Sequence, residues 1–521
     1  MVDGTRPTAL AILALLVLAG LPVAAGGDFL PGHPTTSVAR PGAASSVSSA
    51  AWQPIAAPTV PPGLFYPSVA SDPNDQSAIE FGGCTTVLCT EGTNATWSDS
   101  NGVWTQLHPV VAPSPRSEAQ MAWDPADSYV LLFGGRGCSN PPACTSSATL
   151  NDTWTFKDGL WNPVVANGAV PPPTYHGGLA YDPSDREMLL FGNEGCVPAC
   201  GTWAYAGGSW SKLNLSTSPP FRSGAGFAED DSDHGALLFG GVSTTGNYLD
   251  DTWLFTSGSW HSEATPAGLT HRGDPAMAWD ASVAVVVLFG GEYVTVTPFS
   301  ATEYNDTWEF QNASWVEWAA RSAAPGGRSE GGLAEDPSSG VLVLLGGCGP
   351  TGCPFVPPWA FGIPQAITLL ALGTTCATFT LAGASFTSNA QDSLVNGSYP
   401  LEARTCTGYQ LANVTASRVL TLNVTGQSAS NWTGSVLVRG PGSVTANFTK
   451  EAVSNPPGGL GAVTVLGLTV LELLLIVVAI IAMLGILVAV SLLSRRKSRP
   501  PPSTSGGSPP KWFSRRPPRE W

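Results

Sequence analysis

Short apolar runs recur at a period of about 50 residues along the first two thirds of the chain. Each run ends at a glycine doublet or its equivalent, in the segments AIEFGG, VLLFGG, MLLFGN, ALLFGG, VVLFGG and VLVLLGG. The residue before the glycines marks six units: Phe81, Phe133, Phe191, Phe239, Phe289 and Leu345. An aspartate stands nine residues earlier in every unit: Asp72, Asp124, Asp182, Asp230, Asp280 and Asp336. A constant spacing repeated at this period predicts a repeat architecture.

Two tryptophans seven residues apart follow the apolar run in five of the units. The pairs are Trp97/Trp104, Trp154/Trp161, Trp203/Trp210, Trp253/Trp260 and Trp308/Trp315. Each unit therefore reads as four short strands: an apolar strand entering an Asp-Pro turn, the glycine-terminated run, and one strand for each tryptophan. Four strands per repeat are typical of one β-propeller blade. The tryptophans would fill the wedges between blades, each burying roughly 150–250 Å².

The repeat resembles the kelch family over residues 52–361. The shared features are the glycine doublet, the spaced aromatic pair and an arginine that opens the first strand, as at Arg116, Arg222, Arg272 and Arg328. Leu64 and Thr174 replace this arginine in units 1 and 3, and Asn193 replaces a glycine in unit 3. The resemblance implies an all-β chain with a six-bladed kelch-type β-propeller over residues 51–364.

The last unit lacks a second tryptophan, because Ala366 stands seven residues after Trp359. Trp52 lies 20 residues before Asp72, and the second tryptophan of the other units lies 20 or 21 residues before the next aspartate. We therefore predict that the segment around Trp52 supplies the outer strand of the last blade and leaves no open sheet edge. The alternative is that residues 363–370 complete this blade.

The segments outside the repeat have different compositions. Residues 26–50 are rich in Ser, Ala, Gly and Pro and predict a flexible lead. Residues 365–455 alternate strand-like runs with turns, which predicts a small β-sandwich-like stalk module. The segment 494–521 is rich in Pro, Ser and Arg and predicts a disordered tail.

Two apolar segments predict the membrane topology. Residues 1–25 place an arginine before an apolar run and small residues, as in a cleaved signal peptide. Residues 460–493 predict one transmembrane helix, since the stretch from Leu473 to Leu493 carries no charge and is long enough to cross a bilayer. Arg495, Arg496 and Lys497 follow, so the positive-inside rule predicts a single-pass protein of the cell membrane with the C-terminus in the cytoplasm.

Charge and cysteine content fit a protein outside the cell. The net charge of −15 argues against nucleic acid as a partner. Local spacing predicts four disulfides within loops and a fifth in the later module; zinc is the competing interpretation of the local pairs. The predicted pairs are Cys84/Cys89, Cys138/Cys144, Cys196/Cys200, Cys348/Cys353 and Cys376/Cys406.

Ten glycosylation sequons also indicate a protein outside the cell. Their asparagines are Asn94, Asn151, Asn214, Asn305, Asn312, Asn396, Asn413, Asn423, Asn431 and Asn447.

The sequence favours binding over catalysis. Kelch propellers include copper-radical oxidases such as galactose oxidase, which need histidine and tyrosine ligands and a tyrosine–cysteine crosslink. Here the histidines are scattered and the propeller cysteines fall in local pairs. His176 alone occupies a framework position, where a packed strand residue is the simpler interpretation. We therefore predict no catalytic residue, cofactor or metal, and keep an extracellular carbohydrate-active enzyme or an envelope structural protein as alternatives.

All the length variation lies in the loop after the glycine doublet. From the doublet marker to the first tryptophan the spacing is 16, 21, 12, 14, 19 and 14 residues in units 1 to 6. Variable loops on a rigid scaffold often carry function. We predict that the long loops of units 2 and 5 present Arg136, Glu292 and Tyr293, beside a depression near Glu194 in the short loop of unit 3. The predicted role is a cell-surface module that binds a glycan, a cell-wall polymer or a protein.

Overall fold

The computed structural model describes residues 50–55, 59–85, 92–138, 147–165, 167–192, 201–296, 299–318, 324–349, 358–387 and 389–451, with 464–465 and 468–469. Throughout these residues the regular structure is β-strand, and the chain has an all-β, β-propeller-like fold. The predicted signal peptide (1–25), the lead as far as residue 49, the apolar run 473–493 and the tail 494–521 lie outside the described residues.

Strand β1 (Ala51–Pro54) precedes the repeats, and each repeat unit then forms its own antiparallel sheet. Unit 1 contains β2 (Ser68–Asp72), β3 (Ser77–Phe81), β4 (Thr96–Ser100) and β5 (Val103–Leu107). Unit 2 contains β6 (Arg116–Ser117), β7 (Gln120–Asp124), β8 (Tyr129–Cys138), β9 (Ser147–Lys157) and β10 (Leu160–Val164). Unit 3 contains β11 (Gly178–Asp182), β12 (Glu187–Phe191), β13 (Trp203–Ala206) and β14 (Ser209–Lys212).

The later units repeat this order. Unit 4 contains β15 (Arg222–Ser223), β16 (Gly226–Asp230), β17 (Gly235–Phe239), β18 (Val242–Ser243), β19 (Thr252–Thr256) and β20 (Ser259–Glu263). Unit 5 contains β21 (Ala276–Asp280), β22 (Val285–Phe289), β23 (Glu292–Val296), β24 (Phe299–Glu303), β25 (Thr307–Gln311) and β26 (Ser314–Glu317). Unit 6 contains β27 (Ser329–Asp336), β28 (Val341–Cys348) and β29 (Trp359–Gly362). The first long strands of successive units contact one another in order, and β27 of unit 6 contacts β2 of unit 1.

The N-terminal strand completes the sheet of unit 6, as predicted. Strand β1 pairs antiparallel with β29, with Trp52 opposite Phe361 and Pro54 opposite Trp359. The alternative assignment of residues 363–370 to this edge is excluded, because β30 (Gln365–Leu372) belongs to another sheet. The two ends of the repeat array are thus joined by a hydrogen-bonded ladder, which removes the open edge of the last sheet.

The second tryptophan of a unit ties that unit to the one before it. The indole nitrogen of Trp315 donates to the hydroxyl of Thr252 in unit 4 at 3.0 Å, and its ring lies 5.7 Å from that of Phe239. Trp161, Trp210 and Trp260 make the corresponding contacts with units 1, 2 and 3. Trp52 does the same toward unit 5, donating to Thr307 at 2.9 Å and packing 5.0 Å from Phe289. The tryptophans therefore fill the interfaces between sheets, as the repeat predicted.

The recurring arginine is a buried structural group. Arg116 is almost fully buried and its two terminal nitrogens contact both carboxylate oxygens of Asp152, at 2.7 and 2.8 Å. It also donates to the carbonyl of Gly134, after the apolar run. Arg222 with Asp251 and Arg272 with Asp306 repeat this arrangement. Units 1 and 3 lack both the arginine and the aspartate of this pair. Unit 1 has Leu64 and Ala95 at the two positions, and unit 3 has Thr174 and Gly201.

The aspartates at the end of the first long strands are turn residues. Asp124 is buried, and its Oδ1 accepts from the backbone amides of Ala126 and Asp127 at 3.0 and 3.2 Å. Equivalent bonds to following residues occur at Asp72, Asp182, Asp230, Asp280 and Asp336. The carboxylate closes the turn by bonding its own backbone, which explains the invariant position of aspartate.

Residues after the repeats form two further sheets with a shared core. The first contains β30, β33 (Ala390–Leu394), β35 (Tyr409–Ala416) and β38 (Gly442–Lys450). The second contains β31 (Thr378–Leu381), β32 (Ala384–Thr387), β34 (Gly397–Arg404), β36 (Leu420–Gln427) and β37 (Asn431–Val438). Buried side chains from both sheets, including Ile367, Phe379, Trp432 and Phe448, meet in one hydrophobic cluster. A disulfide joins Cys376 to Cys406, the pair predicted in this module.

Beyond residue 451 the described residues are two short strands that pair antiparallel, β39 (Thr464–Val465) and β40 (Leu468–Thr469). In the part of the chain that the structure describes, we find no helix with the length and apolarity that a membrane span requires.

We predict that Asp152→Ala destabilises the fold by on the order of 2–4 kcal/mol, because it leaves the buried Arg116 guanidinium without its carboxylate. The double variant Arg116→Leu, Asp152→Ala installs the pair of residues that unit 1 uses, Leu64 and Ala95, and should be more stable than Asp152→Ala alone. Urea unfolding of the three proteins measures both effects. A double variant no more stable than the single variant would contradict the structural role assigned to this pair.

Candidate functional site

One residue from each unit lies at the start of the first long strand, two positions after the recurring arginine. The six residues of this axial ring are Tyr66, Glu118, His176, Gly224, Asp274 and Glu330. The backbone amide of each donates to the carbonyl of the preceding member, at distances from 2.7 to 3.4 Å. The amide of Tyr66 donates to Glu330, so the chain of hydrogen bonds closes on itself. This ring links units 1 to 6 through the backbone alone.

Every member of the axial ring has a left-handed backbone conformation. The φ angle is 48° at Tyr66, 56° at Glu118, 60° at His176, 52° at Asp274 and 62° at Glu330. This region is unfavourable for residues with a side chain, at a cost of about 1–2 kcal/mol each. Strained backbone of this kind concentrates at functional sites, and here the strain carries polar side chains at five of six positions.

The side chains of the axial ring form two hydrogen-bonded pairs. The hydroxyl of Tyr66 donates to Glu330 at 2.6 Å, and His176 Nε2 is hydrogen-bonded to the carboxylate of Asp274. The rings of Tyr66 and His176 meet edge to face at 5.2 Å between centroids. Gly224 leaves room for the second pair, since a Cβ there would overlap Asp274 and crowd His176. The four side chains thus form one continuous polar cluster.

Two of the residues predicted from the loop of unit 5 adjoin this cluster. The backbone of Glu292 bonds reciprocally to that of Gly273, next to Asp274 in the ring. The carboxylate of Glu292 accepts from the hydroxyl of Tyr248 at 3.1 Å. Tyr293 packs against the rings of Tyr248 and His271, at 5.2 and 4.1 Å between centroids. The loop of unit 5 therefore adds an acid and an aromatic cluster beside the axial ring.

Arg136, predicted from the loop of unit 2, lies beside the part of the axial ring that Glu118 and His176 form. Its backbone pairs with Ser117, the residue before Glu118. Its guanidinium lies 6.0 Å from the centre of the ring of Tyr175, the residue before His176. Glu194, the fourth predicted residue, lies outside the described residues. Arg136 and Glu292 thus approach the axial ring from different units.

Burial raises the pKa values of Glu330, Glu292 and Tyr66 at this site. The pKa of Glu330 rises from 4.5 to about 8, mainly because the side chain is buried and also because Asp274 and Glu292 are negatively charged neighbours. The pKa of Glu292 rises from 4.5 to about 7, mainly because the side chain is buried and also because Asp274 and Glu303 are negatively charged neighbours. Burial also raises the pKa of the Tyr66 hydroxyl well above its ordinary value, and the charge of Glu330 adds to the effect. Near neutral pH these groups act as hydrogen-bond donors as well as acceptors.

The site has the composition of a binding surface for a polar ligand. Neutral acids, phenols and an imidazole offer donors and acceptors at short range, and the tyrosine and histidine faces offer stacking surface. Across the described residues we find no group of three or more His, Cys, Asp and Glu side chains arranged to hold a metal ion.

The sequence reasoning missed most of the axial ring. It singled out His176 as a framework residue but interpreted it as packing, and it did not consider Tyr66, Glu118, Asp274 or Glu330. The available signal was the alignment column two residues after the recurring arginine, which is polar in five units. Residues at equivalent positions of a closed repeat array come together in space, so a polar column at one such position indicates a shared site.

The structure places only some of the predicted disulfide residues. Cys84 and Cys348 are disulfide-bonded, while Cys89, Cys144, Cys196, Cys200 and Cys353 lie outside the described residues, as does the side chain of Cys138. Cys348 Sγ lies 3.3 Å from the second carboxylate oxygen of Glu330, so one of these sulfurs adjoins the axial ring.

Seven of the ten sequon asparagines are exposed: Asn94, Asn151, Asn214, Asn305, Asn312, Asn413 and Asn423. The other three are half-buried, and their amide nitrogens are hydrogen-bonded. Asn396 donates to the carbonyl of Ser339, Asn431 to Glu402, and Asn447 to Asn413. A glycan on the nitrogen of Asn396 would have to displace its contact with unit 6.

We predict that the thermal stability of the protein falls as pH rises from about 4.5 to about 8, and that Glu330→Gln reduces this dependence. The folded state holds the Glu330 proton with a pKa of about 8, whereas the ordinary value is 4.5. Between these values the folded state binds more protons than the unfolded state, so raising the pH lowers the free energy of unfolding. Melting temperatures at pH 5, 6.5 and 8 measure the slope. The exposed Glu317 supplies the control variant Glu317→Gln, and an unchanged slope in Glu330→Gln would refute the assignment.

Parts of this chain are similar to two curated proteins. A stretch of 146 residues, 25% of this chain, is 30% identical to tRNA wybutosine-synthesizing protein 4 of Emericella nidulans and covers 12% of that protein. A stretch of 174 residues, 30% of this chain, is 28% identical to an F-box/kelch-repeat protein of Arabidopsis thaliana and covers 34% of it. The chain thus spans about a third or less of the length of these curated relatives.

Among solved structures, one titled "Structure of YjhT" aligns with a TM-score of 0.43 at 15% identity, covering 58% of this chain and 95% of that one. No family model matches the chain. The match to a kelch-repeat protein agrees with the repeat pattern and with the observed sheets, and together they support a kelch-like, β-propeller-type repeat.

Proposed function

We propose that this chain is a binding protein whose ligand contacts the axial ring and the adjoining loops of units 2 and 5. The observation that carries the proposal is the convergence of Tyr66, His176, Asp274 and Glu330, one side chain from each of four units, on a single polar cluster. Arg136, Glu292 and Tyr293 extend this surface outward. Sites of this kind form where a rigid scaffold brings distant segments together.

We also propose how the sheets are arranged. The six sheets are six blades of one closed kelch-type propeller, and the two later sheets form a β-sandwich-like stalk. The array of sheets is supported by the order of contacts between first strands and by the pairing of β1 with β29. The proposed stalk is supported by one hydrophobic cluster shared between two sheets.

The proposed location is the outer face of a cell membrane. This rests on the apolar runs at both ends of the sequence, on the arginines after the second run and on the exposed sequons. The disulfide between Cys376 and Cys406 fits an oxidising compartment. In this setting the stalk would carry the propeller away from the membrane and leave the axial face open to a ligand.

A glycan is the ligand class that suits the site best. Sugars present closely spaced hydroxyls and apolar ring faces, which match neutral carboxyl groups and phenols beside aromatic rings. A cell-wall polymer is the extended form of the same chemistry. A strongly anionic ligand is disfavoured, since Glu292 and Glu330 are charged above their pKa values of about 7 and 8 and lie near Asp274.

Carbohydrate hydrolysis is the second candidate, and the pairing of Tyr66 with Glu330 favours it. A phenol beside an acid resembles the arrangement needed to activate a tyrosine nucleophile. The raised pKa of Tyr66 opposes this function, because the neutral phenol is a poor nucleophile. Binding therefore fits the electrostatics of the cluster better than catalysis.

The test is binding of the full chain to an array of defined oligosaccharides and cell-wall polysaccharides. We predict that Glu330→Gln, Arg136→Ala and Tyr293→Ala each lower the signal of any bound glycan by about tenfold, as expected for a loss of 1–2 kcal/mol. The matched control is Glu187→Gln, a half-buried glutamate beside the turn between β11 and β12. Full binding in all three variants, with melting temperatures unchanged, would move the site away from this face. Release of free sugar would favour the hydrolytic alternative.

A further inference from the structure

The interface between units 1 and 6 contains two acidic side chains among apolar ones. Glu80 lies opposite Val69 and Trp97 in the sheet of unit 1, and Asp99 lies opposite Trp104. Residues opposite one another in an antiparallel pair share a side of the sheet. Val69, Trp97 and Trp104 pack in one hydrophobic cluster with residues of unit 6. We call this contact the closing interface. Its residues are Val69, Glu80, Trp97, Asp99 and Trp104 of unit 1 and Val341, Val343, Leu345 and Ala360 of unit 6.

Both acids occupy positions that are apolar or aromatic in the other units. Glu80 stands where the other five units have a buried leucine: Leu132, Leu190, Leu238, Leu288 and Leu344. Asp99 stands where they have a buried aromatic side chain: Phe156, Tyr205, Phe255, Phe310 and Phe361. The exposed fractions of Glu80 and Asp99 are 2% and 0%, so both acids are in the core of the closing interface.

Both acids are neutral near pH 7 while the closing interface is intact. Burial raises the pKa of Glu80 from 4.5 to about 8. Within the described residues, Oε2 of Glu80 is buried and has no hydrogen-bond partner. Burial, and then the negative charge of Asp336 in unit 6, raises the pKa of Asp99 well above its ordinary value, and a hydrogen bond from the backbone amide of Gly102 partly offsets the rise.

The surroundings of the two acids supply no buried positive charge. The side chains on either side of Glu80 in the sheet are apolar. Among the residues that line the small cavity beside Asp99 there is no lysine, arginine or histidine, and the phenol of Tyr399 is kept neutral by a raised pKa that follows from burial and then from the charge of Asp392. The exposed Arg439 of the later module donates to Asn101 at 3.1 Å. An ionised carboxylate in this interface is therefore costly.

We propose that the closing interface is a pH-sensitive switch, closed while Glu80 and Asp99 are protonated and opened when they ionise. Separation of the two sheets lets water solvate the carboxylates. The open state has ordinary pKa values and the closed state has raised ones, so the closed state binds more protons and rising pH favours opening. For each acid the opening equilibrium constant should grow by up to about tenfold per pH unit between its two pKa values, which for Glu80 are 4.5 and about 8.

Opening of this interface would also disrupt the axial ring. The hydroxyl of Tyr66 in unit 1 donates to Glu330 in unit 6 at 2.6 Å. The pKa of Glu330 is raised to about 8 while it is buried, so exposure of Glu330 adds to the same pH dependence. Separation of units 1 and 6 would part these two side chains and divide the polar cluster.

Amide hydrogen exchange of the full chain tests the switch without any ligand. Two backbone hydrogen bonds join units 1 and 6, from the amide of Tyr66 to Glu330 and from the amide of Gly347 to Leu64. The amides of Gly241 and Gly291 make the bonds equivalent to that of Gly347 at two other interfaces. With rates corrected for intrinsic exchange, we expect all four amides to be protected at pH 5. From pH 5 to pH 9 the protection of Tyr66 and Gly347 should fall at least about tenfold relative to Gly241 and Gly291.

Variants separate the switch from a general effect of pH on stability. Glu80→Leu and Asp99→Phe install the residues of the other units, and each should reduce the pH-dependent loss of protection at Tyr66 and Gly347. Glu80→Gln removes the same titration with a side chain of similar shape and should act likewise if Glu80→Leu folds poorly. Glu229→Gln is the matched control, because Glu229 lies in unit 4 and burial, followed by the charges of Asp231, Glu335 and Asp230, raises its pKa to about 8. This variant should keep the full response.

Two results would overturn the proposal. One is a wild type in which the protection of Tyr66 and Gly347 relative to Gly241 and Gly291 stays constant from pH 5 to pH 9. The other is an undiminished pH response in the double variant Glu80→Leu, Asp99→Phe.

Discussion

The contact between the second tryptophan of one unit and the preceding unit is the interaction on which the rest of the structure depends. At five of the six interfaces the indole packs on the phenylalanine that ends the neighbour's apolar run and donates to the threonine before the neighbour's first tryptophan, as Trp315 does with Phe239 and Thr252. The contact thus sets both the spacing and the relative height of adjacent sheets. With the sheets held in this way, the first strands contact one another and their starting residues converge.

The interface between units 1 and 6 shows what happens where this contact is incomplete. In unit 6, Pro358 stands before the first tryptophan, where the other units have threonine. The indole nitrogen of Trp104 of unit 1 lacks a partner among the described residues. Asp99 replaces the usual aromatic beside it. Val395 of the later module packs into the same hydrophobic cluster as Trp104 and Val341. The later module therefore contributes apolar surface to the interface between units 1 and 6.

The sequence predicted the parts of the fold that depend on local spacing. The constant intervals between aspartate, glycine doublet and tryptophans predicted the strands of each unit. The position of Trp52 relative to Asp72 predicted the pairing of its strand with the last unit. Both predictions succeeded because strand and turn lengths determine these intervals. The loops of units 2 and 5 were predicted as elements of the candidate face, and Arg136 and Glu292 do adjoin the axial ring. The ring itself was not predicted, since its members are far apart in sequence and differ in residue type. Only the curvature of the whole array brings Tyr66 beside Glu330.

The most direct test of this account is amide hydrogen exchange at the backbone ring formed by residues 66, 118, 176, 224, 274 and 330. If the array is closed by the N-terminal strand, all six amides should exchange slowly and with similar protection, because each hydrogen bond opens only when the array opens. Fast exchange at Tyr66 and Glu330, with the other four amides protected, would show that units 1 and 6 are not joined and would contradict the closed arrangement.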